Sequence, residues 1–274
     1  MSTNLVTKVA AFIFILVVGF ITRTMYDAGE FKTLEPHYSG ECLSVAGVAG
    51  AEDITFLKNG TALISSDNRR SRMDGSLAQG TIYQYRPKAK DHKLVNLRPQ
   101  LDTGFHPHGI SVYEDPDGKI FLAVVNHHSG GLFNSSKGHS IELFRYEVDS
   151  LFHIRSISGP LMISPNDIVL INRDQFYVTN DHGSSSGRMQ TLEEYLQLRR
   201  CKILFYDGKR FSVAASGLGF ANGININRDG SLLYVAETIG KQLSIFSRDK
   251  NTNDLELIES IYFNSGVDLS LIHI

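Results

Sequence analysis

The sequence predicts an all-β fold of the propeller type. Three observations carry that expectation: four hairpin-like segments share one pattern, their spacing is nearly constant, and further strand-like runs fill the intervals. Composition agrees, with 274 residues, 24 Gly and no Trp, which suits a turn-rich β chain better than a helical bundle.

The chain opens with a targeting segment. Lys8 precedes an apolar stretch from Val9 to Ile21, 13 residues long, and Arg23 follows it. That is short for a membrane span of about 20 residues and matches the core of a signal peptide. No small-x-small cleavage site stands behind it, so an uncleaved signal or signal-anchor is expected. Residues 1–41 are assigned to this segment and its linker, and 42–274 to the propeller. Sequons at Asn59 and Asn134 agree with a secretory route. The chain is therefore expected outside the cell or anchored in a membrane. A net charge of −2 with no basic run argues against nucleic acid as a partner. Cys42 and Cys201 are too few for a disulfide scaffold. Either they pair, or each is a buried thiol, or Cys42 lacks its partner.

The repeat comes next. "EDITFLKNGTALISSD" (52–67), "HGISVYEDPDGKIFLAVVNH" (108–127), "NDIVLINRDQFYVTND" (166–181) and "NGININRDGSLLYVAE" (222–237) each read as polar pair, strand, tight turn, strand, polar residue. Asn-Gly, Asp-Gly or Arg-Asp at the turns tolerate the positive φ of hairpin loops. The lead residues Glu52, His108, Asn166 and Asn222 stand 56, 58 and 56 residues apart. A period of this size with several strands per unit is the signature of propeller blades. Runs at 139–148, 200–208 and 241–249 supply the remaining strands. One helix interrupts at "TLEEYLQLRR", where Thr191 and Glu194 form a predicted capping box, and it is expected to cover one face as a lid.

Rotation about a propeller axis brings equivalent residues together at one end of the channel. Glu52, Asn166, Asn222 and Asp268 then form a ring of oxygen ligands, the donor set of a hard cation such as Ca²⁺. Asp53 and Asp167, next in sequence, are expected to hold a second ion deeper inside. "NINRDGSLLYVA" (225–236) imitates an EF-hand loop but carries Ala236 where a bidentate Glu belongs, and is rejected. His106, His108, His127 and His128 raise zinc as an alternative. Beside a calcium ion, His108 and His127 would instead form a base pair for ester or lactone hydrolysis. No G-x-S-x-G elbow, phosphate loop or dinucleotide fingerprint is present.

"GAEDITFLKNGTALIS", "HPHGISVY", "LAVVNHH", "SPNDIVLI", "YVTNDH" and "FANGININRDG", in that order between Cys42 and Asp268, resemble the paraoxonase/arylesterase family of lactonases. The resemblance implies a six-bladed propeller with two calcium ions in its tunnel, acting on lactones and aryl esters. It implies that Glu52, Asn166, Asn222 and Asp268 hold the catalytic calcium. Asp53, Asp167 and the carbonyl of Ile110 would hold the structural one. His108 matches the general base, His127 its dyad partner, and Asp181 a further active-site position. The N-terminal segment would contact a lipid or membrane surface. Two departures stand out: Leu269 replaces a calcium-binding Asn, and no late cysteine exists to pair with Cys42. About four blades are accounted for, so a C-terminally shortened member is expected. The alternative to an enzyme is an inactive calcium-binding scaffold at a lipoprotein or membrane surface. A gluconolactonase-type propeller without calcium is disfavoured by the Glu52-Asp53 pair and the HPHG motif.

Overall fold

In the computed structural model, the structure describes residues 3–33, 35, 39–69, 79–99, 101, 104–128 and 138–268. Two compact units divide the chain, Met1–Ser44 and Val45–Ile274. Among the described residues, the second contains four antiparallel sheets of four strands, each a simple meander. Blade 1 comprises β1 (Ala51–Phe56), β2 (Ala62–Ser66), β3 (Thr81–Tyr85) and β4 (Leu94–Asn96). Blade 2 comprises β5 (Pro107–Glu114), β6 (Ile120–His127), β7 (His139–Glu147) and β8 (Ser150–Ile157). β9 (Pro165–Leu170), β10 (Phe176–Asn180), β11 (Cys201–Tyr206) and β12 (Phe211–Leu218) make blade 3. β13 (Ala221–Ile226), β14 (Leu232–Glu237), β15 (Gln242–Arg248) and β16 (Leu255–Tyr262) make blade 4. This is the four-bladed propeller arrangement that the repeat predicted.

Each predicted hairpin is the innermost pair of a blade, and its turn chemistry explains why it forms there. Gly60 takes φ +82° in the first turn and Gly230 takes +74° in the fourth, conformations that glycine enters without a Cβ penalty. The third turn departs from expectation. Neither Arg173 nor Asp174 adopts positive φ. Instead Asn172 Oδ1 accepts from the amides of Asp174 and Gln175, both at 2.9 Å, a side chain imitating a backbone turn.

Apolar residues alternate so that each blade presses on the next. Leu63, Ile82, Phe105, Leu122 and Phe144 form the core between blades 1 and 2. Val125, Ile141, Ile168, Phe176 and Leu204 fill the space between blades 2 and 3. Tyr177, Ile203, Ile224, Leu233 and Phe246 do so between blades 3 and 4. Truncating any one of these fully buried side chains to Ala costs about 2–5 kcal/mol.

The helix α1 (Thr3–Ala28) has 26 residues, twice the apolar run that the sequence marked. By length and composition it is sufficient to cross a membrane. The second helix, α2 (Gly187–Tyr195), corrects the predicted capping box. It starts four residues before Thr191, with Ser186 at the N-cap making no side-chain cap bond. Thr191 Oγ1 donates instead to the Gly187 carbonyl at 3.0 Å, inside the helix. Glu193 fixes its underside, accepting from Gly183 N at 2.8 Å and Ser184 Oγ at 2.6 Å. Cys42 is exposed and Cys201 buried, and both are free thiols, so they do not pair.

Candidate active site

The four polar pairs of the repeat lie at four β-bulges. In each blade two residues of the first strand oppose one residue of the second. Glu52-Asp53 face Ser65, His108-Gly109 face Val125, Asn166-Asp167 face Thr179, and Asn222-Gly223 face Ala236. A bulge breaks the strict alternation of a strand and re-aims its side chains. That is how both members of a pair come to serve one site.

Hydrogen bonds and charge link the leading residues from blade to blade. Arg69 Nη2 bridges them, lying 3.0 Å from Glu52 Oε1 and bonded to His108 Nδ1. His108 Nδ1 is itself 3.5 Å from Glu52 Oε1. Burial, seconded by the Arg69 charge, pushes the His108 imidazole down to about 4. Burial raises the Glu52 carboxyl, opposed by Arg69 and reinforced by the charge of Asp268, which the fold brings beside it. Asp268 is exposed at its own surface, and desolvation on its protein side raises its carboxyl.

Asn166 Nδ2 donates to Asp181 Oδ2 at 3.1 Å. Its Oδ1 is buried and satisfied by no hydrogen bond of ordinary geometry, a state costing about 1–3 kcal/mol. Asn222 Nδ2 donates to Thr238 Oγ1 at 3.2 Å, and Thr238 Oγ1 donates to the Val267 carbonyl at 2.7 Å, which ties Asn222 to the segment carrying Asp268. Desolvation opposes the charge on the partly buried Asp181, yet bonds from His182, Ser164 and Asn166 hold its carboxyl below the usual range.

Asp53 and Asp167 form a second level. Asp53 Oδ2 accepts from Ile110 N of the next blade at 2.7 Å, and Asp167 Oδ2 accepts from Ile224 N at 2.8 Å. Burial pushes the Asp53 carboxyl up to about 6 and Asp167 well above its ordinary value, where the charge of Asp53 adds to the effect. Two buried carboxylates that face each other call for a cation or a shared proton. Ile110 thus sits beside Asp53 through its backbone amide. Gly109 leaves the space: a Cβ there would stand 2.5 Å from Asp167 Oδ1, Asp167 Cα and the Asn166 carbonyl.

Four residues escaped the sequence reading. Arg69 sits in no motif. His139 opens β7 and meets His127 Nδ1 to Nδ1 at 2.7 Å. His182 is held between Asp181 Oδ1 at 2.6 Å and Glu194 Oε1 at 2.8 Å, joining the site to α2. Thr238 is the fourth. Only position relative to the repeat was available as a signal: Asp181 and Thr238 each follow the end of a second strand. For the zinc alternative, no group of three His, Cys, Asp or Glu side chains among the described residues has the arrangement to hold a metal ion. The calcium candidates are half amides. The EF-hand imitation is the β13–β14 hairpin, with Asn227 Oδ1 accepting from Ser231 N and Leu232 N, both at 2.9 Å. Asn59 is exposed at the first turn, while Asn134 and Leu269 lie outside the described residues. A separate cleft of about 630 Å³, lined by Arg155, Leu161, Tyr206, Lys209 and Phe211 among others, contains none of the site residues.

Comparison with known proteins identifies the family. The Arylesterase family profile matches residues 34–272. Serum paraoxonase/arylesterase 1 of Homo sapiens is 30% identical over 247 residues, covering 86% of this chain and 67% of that protein. Serum paraoxonase/lactonase 3 of Oryctolagus cuniculus is 31% identical over 250 residues, covering 88% and 68%. The chain thus spans about two thirds of the length of these relatives. In fold it is similar to a periplasmic gluconolactonase of Pseudomonas aeruginosa, with TM-score 0.51, 16% identity, and coverage of 80% of this chain and 59% of that one. With its profile matched from before the first blade to beyond the fourth, the chain belongs to the Arylesterase family.

Proposed function

We propose that this chain is a calcium-dependent hydrolase of lactones and aryl esters. The observation that carries the reading is Asn166 Oδ1, a buried amide oxygen that no hydrogen bond of ordinary geometry satisfies, on a residue whose side chain meets His108, together with raised carboxyls at Glu52 and Asp268. Amide and carboxylate oxygens of this kind fit a hard cation. Glu52, Asn166, Asn222 and Asp268 are the residues proposed to hold it. Asp53, Asp167 and the Ile110 carbonyl are proposed for a second ion, whose charge would offset two buried carboxylates. The ion supplies positive charge for the carbonyl oxygen as the substrate becomes tetrahedral.

The protein's own groups do the rest. His108 is neutral at pH 7 because burial and Arg69 hold it near 4. Its Nδ1 accepts a hydrogen bond from Arg69 on the side facing Glu52, so that lone pair is released to the site when Arg69 turns to Glu52 alone. Water gives a proton to that lone pair while its oxygen bonds to the carbonyl carbon. The ester C–O bond then breaks, and the departing oxygen takes the proton back. His127, with rings 5.1 Å apart and edge-to-face, stands behind His108, and Asp181 orients Asn166. The helix α1 is proposed as the signal or anchor that brings the enzyme to a lipid or membrane surface along the secretory route.

The test is hydrolysis of an aromatic lactone by the purified chain with calcium, after chelation, and after calcium is restored. Turnover that vanishes with the chelator and returns with calcium is expected. Turnover indifferent to the chelator overturns the reading. Calcium binding without turnover replaces it with the scaffold alternative.

A further inference from the structure

Three histidines stand in series on blade 2 and its approach, and the reading above uses two. His127 closes β6 and His139 opens β7, directly opposite in register. Their Nδ1 atoms are 2.7 Å apart, with rings edge-to-face at 86° and centroids separated by 4.8 Å. Two imidazole nitrogens in such contact have one proton between them, so one donates and the other accepts. His139 is kept neutral by burial, and it donates a hydrogen bond to the Ile163 carbonyl. A neutral imidazole has a single N–H. With that N–H engaged by Ile163, His139 meets His127 with a lone pair, and His127 must be the donor.

We propose that His139 is a positioning residue that fixes His127 as its Nδ1–H tautomer. The consequence lies one ring further in. His127 then has Nε2 as its acceptor, on the ring that meets His108 edge-to-face. His108 Nδ1 accepts from Arg69, so neutral His108 carries its proton on Nε2, with the Asn166 side chain as a hydrogen-bond partner and the His127 ring edge-to-face at 5.1 Å. A tautomer set at Ile163 and His139 thereby fixes which nitrogen of His127 is left as the acceptor beside His108. This order is the logic by which an outer group orients a metal-bound or catalytic histidine. The inference rests on the proposed roles of His108 and His127, but its structural content is independent of turnover.

The experiment is ¹⁵N–¹H imidazole NMR on the full chain in mild detergent, with the His127 signals assigned from a His127→Gln sample. In the wild type His127 is expected to be protonated at Nδ1. His139→Phe is expected to return it to the Nε2–H form that free histidine favours, and His139→Asn, whose amide oxygen can stand in for the lone pair, to restore Nδ1–H. Lactone turnover with calcium should fall at least about tenfold in kcat for His139→Phe, with KM within about twofold, and recover most of its value in His139→Asn. An Nε2–H tautomer in the wild type overturns the proposal without any variant, as does Nδ1–H retained in His139→Phe. If the tautomer switches as expected while the wild type hydrolyses nothing, the positioning role stands and the proposed activity fails. If turnover is calcium-dependent but the tautomer ignores His139, the reverse holds.

Discussion

Blades 1 and 3 and blades 2 and 4 share one bulge and fill it differently. In blades 1 and 3 the second bulge residue is Asp53 or Asp167, and the residue opposite is Ser65 or Thr179. That hydroxyl accepts the bulge amide, at 3.0 Å for Asp53 N and 3.1 Å for Asp167 N. The carboxylate turns outward to the next blade, reaching Ile110 N or Ile224 N. In blades 2 and 4 the second residue is Gly109 or Gly223, and Val125 or Ala236 stands opposite. One kind of blade reaches and the other receives. Identical backbone irregularities thus yield a twofold alternation of chemistry around the axis, and the substitution of two side chains per blade is sufficient to produce it.

The comparison breaks most sharply at a receiving blade. Gly109→Ala drives a Cβ into backbone atoms at 2.5 Å, where no side-chain rotamer can relieve it. The expected loss exceeds about 4 kcal/mol, above ordinary overpacking, and chemical denaturation measures it. A reaching blade gives the next effect. Asp167→Asn removes charge from a buried carboxylate pair, so stability without calcium should be held or raised. The stabilisation of about 3 kcal/mol that calcium gives at a hundredfold excess over Kd should largely vanish, as thermal melts with and without the ion would show. A calcium shift equal to wild type contradicts the proposed second ion site.

The smallest effect separates the two reaching blades from each other. Blade 3 alone, among the described residues, follows its strand-end aspartate with a histidine held this way. Burial opposes the charge on His182, but Asp181 and Glu194 override it and push the imidazole up to about 9. The folded state therefore binds the proton more tightly than the unfolded chain does. Its contribution is complete below the ordinary value of 6.5 and is lost as pH rises toward about 9. Unfolding free energy should fall by roughly 2 kcal/mol across that window, and His182→Gln should remove the decline.

The sequence carried the propeller and most of the proposed site because both depend on repetition. Glu52, His108, Asn166 and Asn222 recur in phase, and a rotation axis turns phase into proximity. What it did not carry depends on single contacts. Arg69 and His139 belong to no repeat, so nothing along the chain marks them. The bulges were hidden for a different reason: a polar pair reads equally well as two strand-start turn formers. The capping box failed because Thr191 and Glu194 have the right spacing but lie inside a helix that begins at Gly187, where Glu194 meets His182 rather than its own N-cap.

One more device repeats at the ends of the second strands, and it bears on how the chain folds. Ser66 Oγ donates to the Ala49 carbonyl at 17 residues' separation, Asn126 Nδ2 to Gly104 at 22, and Asn180 Nδ2 to Leu161 at 19. Glu237 Oε2 accepts from Gly219 N at 18. Each clamp closes a blade on the loop that enters it. The ties from Asp53 to Ile110 and from Asp167 to Ile224 span 57 residues each. Short loops close with less entropy lost than long ones, and local contacts form sooner. Each blade can therefore consolidate as it leaves the ribosome, with the carboxylate ties added only once the following blade's first strand has arrived.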